Sequence, residues 1–309
     1  MRTAQQLLDR YWRAQARIGL TAYSESLAQW QRVNPFSLTE TSTAWLAAVL
    51  AVVRGQRRQS RNAAIAFYRL YRALATGYTL TLPESSSGTT TLGDLRDLWS
   101  GASGDERVPY ADDSRVIPEE EFDWPEPDDE RDDEAAITSL IATGVSRAYD
   151  LSERGRLDDP DFLADLESAG RGASQAADMQ AIRSGRDIIN GASQRDERAL
   201  GWARVTDGDP CHFCAMLASR GAVYRSREAA GATSNDGVLP NSPERLQRYH
   251  PSCHCQVVPI YSRDQFWVPG SRELHEEWQR VARGLSGDDA LRAWRRHIEA
   301  QRRERRANQ

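Results

Sequence analysis

The chain of 309 residues contains no lysine, so all 40 of its basic side chains are arginines. Chemistry that rests on a lysine amine is thereby excluded: the Walker-A phosphate loop, a kinase-type lysine, and Schiff-base catalysis. Long apolar runs are missing too. The best, Ala44 to Val53, is about half of the roughly 20 residues that span a bilayer, so neither a transmembrane helix nor a membrane partner is expected. Met1 leads into a polar, amphipathic stretch with Gln5, Gln6, Asp9 and Arg10, which does not read as a signal peptide. Apolar content of 39% leaves room for modest cores, and the length predicts about two domains.

Cysteine is scarce and confined. The four cysteines lie between positions 211 and 255, and without a secretory leader that clustering favours a metal site over a disulfide scaffold.

The net charge of −5 hides an uneven distribution. Residues 105–134 hold 15 acidic and 3 basic side chains, a local charge of −12, which leaves +7 for the rest. With Pro109, Pro118, Pro125 and Pro127 in it, this stretch reads as a disordered or extended linker. A second reading is a DNA-mimicking or partner-binding strap anchored by Phe122 and Trp124. The arginines gather at Arg54, Arg57, Arg58 and Arg61 and again at seven positions from Arg292 to Arg306. At helical spacing the first group is simplest as a solvated face, and otherwise a basic docking surface for an acidic protein or nucleic acid.

Apolar periodicity predicts a mainly α-helical protein. Ala4, Leu7, Leu8, Tyr11, Trp12, Ile18, Tyr23, Leu27 and Trp30 form one stripe, interrupted at Gln15 and ended by Asn34-Pro35. Thr43 is the expected cap of a second long helix that runs to Gly77. Helical patterning resumes at Ala135, Asp159-Pro160 reads as a further helix start, and one or two helices follow to about Leu200. The final helices are expected at about 271–283 and 288–306. The organisation is thus an N-terminal helical domain (1–82), an acidic linker (83–134), a helical region with a small α+β Cys/His module (135–270), and C-terminal Arg-rich helices (271–309).

The module carries the strongest chemical signal. Cys211-x2-Cys214 places two sulfurs on one tight turn, and His250-x2-Cys253-His254-Cys255 follows about 35 residues later. That pattern suits a tetrahedral structural zinc clipping a long loop. The expected ligands are Cys211, Cys214, His250 and Cys253, with Cys255 as the replacement; a free or redox dithiol, ordinary buried thiols or disulfides are the alternatives. His254 would point away from its neighbours in an extended chain.

Catalytic readings fare less well. Pro210-Cys211-His212-Phe213-Cys214 matches half of the zinc deaminase signature, but no histidine precedes His212 to supply its H-x-E half. There is no GxSxG, HExxH or GxGxxG. His275 and His297 are the only histidines outside the cluster, and a Ser–His protease remains open because such triads are defined by geometry.

Gly201-Trp202-Ala203-Arg204-Val205, Asp207, the CxxC, Gly221, His250-Pro251-Ser252-Cys253-His254-Cys255 and the strand-like Gln256 to Tyr261 together resemble the Mu F-like minor head proteins of tailed phages. The similarity covers about 201–261. His254 stands where that family's pattern has an arginine, so no role is carried to it. Residues 1–82 look like the N-terminal part of actinophage minor capsid proteins, some labelled capsid maturation proteases. The resemblance implies a low-copy virion protein at the capsid interior or portal vertex, made in the host cytoplasm. Its implied partners are the portal protein and the major capsid or scaffold protein, with non-specific phage DNA contacts through arginine. The alternatives it leaves are a capsid maturation protease and a zinc-stabilised nucleic-acid-binding protein.

Overall fold

The computed structural model describes residues 3–83, 85–153, 160–206, 209–224 and 255–308. The protein is mainly α-helical with a small sheet portion. Helix α1 (Ala4–Trp30) is capped by Thr3, whose hydroxyl accepts from the Gln6 amide. Its buried side carries Leu7, Leu8, Tyr11, Ala14, Ile18 and Ala22. Gln15 interrupts the apolar stripe without leaving the interior. Its amide donates to the Ser60 carbonyl at 3.1 Å and its carbonyl accepts from the Ser60 hydroxyl at 2.6 Å.

Helix α2 (Leu38–Thr76) follows a 3-10 turn at Pro35–Ser37 and ends at Gly77, whose φ of 81° is the left-handed stop that glycine favours. It starts five residues before Thr43, the cap expected from sequence. Thr43 lies inside the helix, where its hydroxyl donates back to the Thr39 carbonyl. By length and composition the stretch Pro35–Thr76 is long and apolar enough to cross a membrane, unlike the short run expected. In this fold the helix packs along α1 and along α6 (Pro160–Arg195), the three forming the principal bundle. Helix α6 is one continuous helix over a stretch read as one or two; Asp159, its expected cap, lies outside the described residues.

Small residues set how closely the bundle packs. Ala169, Ala173, Ala177 and Ala181 are buried along α6. At Gly170 a Cβ would sit 2.3 Å from the Trp30 ring, so only glycine lets α6 reach α1 there.

Residues 83–134, expected as a disordered or extended linker, are instead folded onto the bundle. They contain β2 (Thr89–Thr91), α3 (Leu92–Ser103), β3 (Val116–Glu120) and the start of α4 (Asp129–Leu140). With β1 (Thr79–Leu80) the strands form a sheet ordered β1-β3-β2, in which β3 pairs parallel to β1 and antiparallel to β2. Phe122 and Trp124 pack into the chain's own core instead: Trp124 is buried and its indole N–H donates to the Thr81 carbonyl at 2.8 Å. Composition alone misjudged the segment because its carboxylates meet arginines of α2 and of its own α3. Arg96 binds Asp112 and Asp113, Arg69 binds Glu119, and Arg72 binds Glu120.

A π-helical turn (Ile141–Val145) joins α4 to α5 (Ser146–Glu153). After α6 come β4 (Gly201–Val205), α7 (His212–Ala218), β5 (Val223–Tyr224) and β6 (Gln256–Ile260). The sheet order is β5-β4-β6, antiparallel throughout. Helices α8 (Ser271–Val281) and α9 (Gly287–Ala307) close the chain, near the bounds expected. One hydrophobic core runs from Leu7 and Phe67 through Trp99 and Trp124 to Val258 and Ile260, so the sheet is continuous with the bundle.

Candidate metal centre

The register of the second sheet explains how distant cysteines meet. Val205 pairs with Gln256, and Arg204 with Val257. The end of β4, which leads toward the CxxC, therefore lies beside the start of β6, and Cys255 immediately precedes β6. Cys211 caps α7: its sulfur accepts from the Cys214 amide at 3.4 Å. Cys214 is fully buried, and Cys255, at 1% exposure, shares a small cluster with it, against Cys211, Met179 and Phe213. Among the described residues no two of these cysteines are joined by a disulfide.

Of the five expected metal ligands the fold thus gathers Cys211, Cys214 and Cys255. His250 and Cys253 lie outside the described residues. Among the described residues no group of three or more Cys, His, Asp or Glu side chains is arranged to hold a metal, so the three thiols do not form a complete site by themselves. His212, inside the CxxC, faces away from them: its Nδ1 lies 3.7 Å from the Glu299 carboxylate of α9.

Arg204 is the feature that spacing alone did not single out. It is fully buried on β4, and its guanidinium donates to the Cys214 sulfur at 3.5 Å. A fixed cation beside buried sulfur suits the thiolate, which is the form that binds metals. Its only trace in the sequence is the arginine two residues after Trp202.

The outer side of the module is closed by apolar and ionic contacts. Trp294 and Ile298 of α9 pack with Trp202, Met216, Leu217 and Val257. The Trp294 indole N–H donates to the His212 carbonyl at 2.9 Å. Arg302 and Arg305 bind the Asp209 carboxylate just before the CxxC. Part of the C-terminal arginine cluster is therefore structural.

The inner side is fastened through Asp196, one residue past α6. This carboxylate, 1% exposed, accepts from Arg72 at 2.9 Å, Tyr68 at 3.1 Å and Tyr261 at 2.9 Å. Burial raises both tyrosine hydroxyls well above the usual phenol range, so they stay protonated donors. Arg72 also binds Glu120, which Arg198 and then Arg72 hold down to about 2. Nothing in the sequence around Asp196 marked it.

The three described histidines do not build a nucleophile pair. His275 contacts the Ser219 carbonyl and Gln279, and His297 contacts Glu277 and Gln301. Among the described residues none of them hydrogen-bonds a serine or cysteine side chain.

Comparison with known proteins points to phages. Residues 146–281 match the family described as VG15 protein. The chain is similar to the "Gene 15 protein" of Mycobacterium phage D29, at 28% identity over 37% of this chain and 58% of the relative. It is likewise similar to the "Gene 15 protein" of Mycobacterium phage L5, at 29% identity over 40% of this chain and 60% of the relative. The matches thus span about three-fifths of the length of these curated relatives. No solved structure matches. The similarity supports a phage protein of actinophage type.

Proposed function

We propose that the protein is a minor capsid or head-morphogenesis protein, internal to the capsid or associated with the portal, that assists procapsid assembly or DNA packaging and delivery. One observation carries this reading. The stretch similar to the VG15 family, 146–281, contains the whole of the 201–261 pattern that resembles Mu F-like minor head proteins. The described strands of the module share one hydrophobic core with the long helical bundle, an arrangement that suits a binding protein.

Within that role the cysteine cluster holds a structural zinc, with Cys211, Cys214 and Cys255 as donors and His250 or Cys253 completing the set. The donor chemistry fits: two sulfurs on one turn, a third just before the adjoining strand, and a buried arginine offsetting their charge. Zinc would supply a cross-link that closes the loop between α7 and β6.

Co-expression of the chain with the portal, major capsid and scaffold proteins of its phage tests the role. The protein should sediment with procapsids and remain in them at low copy. Its absence from both procapsids and virions would refute the assignment. Site-specific cleavage of capsid or scaffold protein, abolished by one Ser or Cys substitution in this chain, would establish the maturation protease instead.

A further inference from the structure

The arginine cluster of α2 does not form a plain solvated face. Arg54, Arg57, Arg58 and Arg61 line one side of a cavity of about 390 Å³ between α2, α6 and the start of α4. The four residues are not equivalent. Arg57 is buried, binds the Asp133 carboxylate at 2.9 Å and donates to backbone carbonyls of Asp132 and Gln180. Arg54 binds the same carboxylate. These two are fixed in the wall by the chain's own acidic segment, and Asp133 is held below the usual carboxylate range by Arg54 and then Arg57.

Arg58 and Arg61 have no ion-pair or hydrogen-bond partner among the described residues, although both line the cavity. They are three residues apart on one helix face, so both guanidinium groups can reach one group between them. Asn62 and the Ser184 hydroxyl, likewise without hydrogen-bond partners among the described residues, add neutral donors to the lining. We propose that this cavity binds the phosphate group of a nucleotide, free or within a nucleic-acid strand, with Arg58 and Arg61 as its charged ligands.

The choice of arginine carries no information here, because the chain has no lysine. The size and the lining do. Asp129 and Asp133 also line the cavity, with Asp133 ion-paired to Arg54 and Arg57. An acidic peptide, with carboxylates on successive residues, would set several charges near these aspartates. A nucleotide concentrates its charge in one tetrahedral oxyanion matched to guanidinium donors, and its sugar and base are uncharged. The cavity also falls in the size range of small-ligand sites. This inference does not depend on the head-assembly reading.

The test uses the full chain with inorganic phosphate, thymidine monophosphate, a short labelled oligothymidine and hexaglutamate, followed by calorimetry and fluorescence anisotropy. The oligonucleotide is expected to bind with an affinity that falls as salt rises. Arg58→Gln/Arg61→Gln should weaken binding by about tenfold or more, as expected for losing charge-assisted bonds. Arg296→Gln/Arg303→Gln on exposed positions of α9 makes the same charge change and should shift it by less than about twofold. Nucleotide binding without oligonucleotide binding would assign a free nucleotide; binding of both would assign the phosphodiester backbone. Unchanged thermal unfolding of the α2 variant confirms that the site and not the fold was altered. The proposal is overturned if neither nucleotide probe binds, if hexaglutamate competes as well as the oligonucleotide, or if the α9 control loses as much.

Discussion

Asp196 shows how much of this fold hangs on one carboxylate. It neutralises the buried guanidinium of Arg72 and receives two tyrosine hydroxyls, one from α2 and one just past β6. Removing one partner of a buried ion pair leaves the other charge uncompensated, which costs about 3–5 kcal/mol. Asp196→Ala should therefore lower unfolding free energy by about that amount in urea titrations. Tyr68→Phe deletes one hydrogen bond and should cost about 1 kcal/mol. Loss of under about 1 kcal/mol in Asp196→Ala would mean that Glu120 alone suffices for Arg72. Glu120 itself predicts an acid limb. Its carboxyl titrates at about 2 in the fold against an ordinary value of 4.5. The unfolded chain binds the proton first, so this contribution is complete above about pH 5 and is lost as pH falls through 4.5 toward 2. Glu120→Gln should flatten that part of the stability profile and leave the slope above pH 6 unchanged. Both effects are modest, because Glu120 is a third exposed.

At the scale of elements, the helices were legible and the connections between them were not. An apolar stripe located α1, because it buries one face, and Gly77 marked the end of α2 through its left-handed φ. The acidic segment was unreadable for a specific reason. Composition counts its 15 carboxylates as mutual repulsion, whereas the fold sets Arg69, Arg72 and Arg96, each at most 3% exposed, against them. Pairing across 16 to 50 residues of chain leaves no periodic trace. The cysteine site was legible in its donors, since CxxC spacing reflects one turn. Arg204 became meaningful only when β4 and β6 aligned it with Cys214. Close approach of helices was also invisible in advance: Gly170 looks like an ordinary small residue until Trp30 is found against it. Gly170→Ala places a methyl where the ring lies, and overpacking of this kind costs about 1–3 kcal/mol. A double variant with Trp30→Phe should recover part of that loss, since a smaller ring relieves the clash. Thermal unfolding of the four-member cycle measures it, and strictly additive effects would argue that α6 shifts away from α1.

For the whole molecule, the question is how far a change at the cysteine cluster travels. Two routes lead out of it. One passes through α7 to Trp294 and Ile298, so α8 and α9 rest on the same apolar cluster as Met216 and Leu217. The other runs along β6, from Cys255 beside the thiols to Tyr261 at the Asp196 carboxylate. The second route ends at a buried, fully engaged ion pair and a core shared with α1 and α2, whereas the first ends on exposed helices with few other supports. If zinc closes the cluster, its removal releases binding energy that had stabilised the module, since a structural metal contributes directly to folding. Chelation of the purified protein should therefore erase amide protection over 201–218 and 255–260 and then over α8 and α9. Protection in the paired stretches of α1, α2 and α6 should persist. Cys214→Ser should reproduce the pattern without chelator, and elemental analysis should fall from about one zinc per chain, the stoichiometry of a four-ligand site, to none. Identical exchange profiles with and without chelator would remove the metal from the account and leave the three thiols as packed, reduced side chains. Loss of protection throughout the bundle would show instead that the Asp196 junction transmits the change, and that module and bundle unfold as one unit.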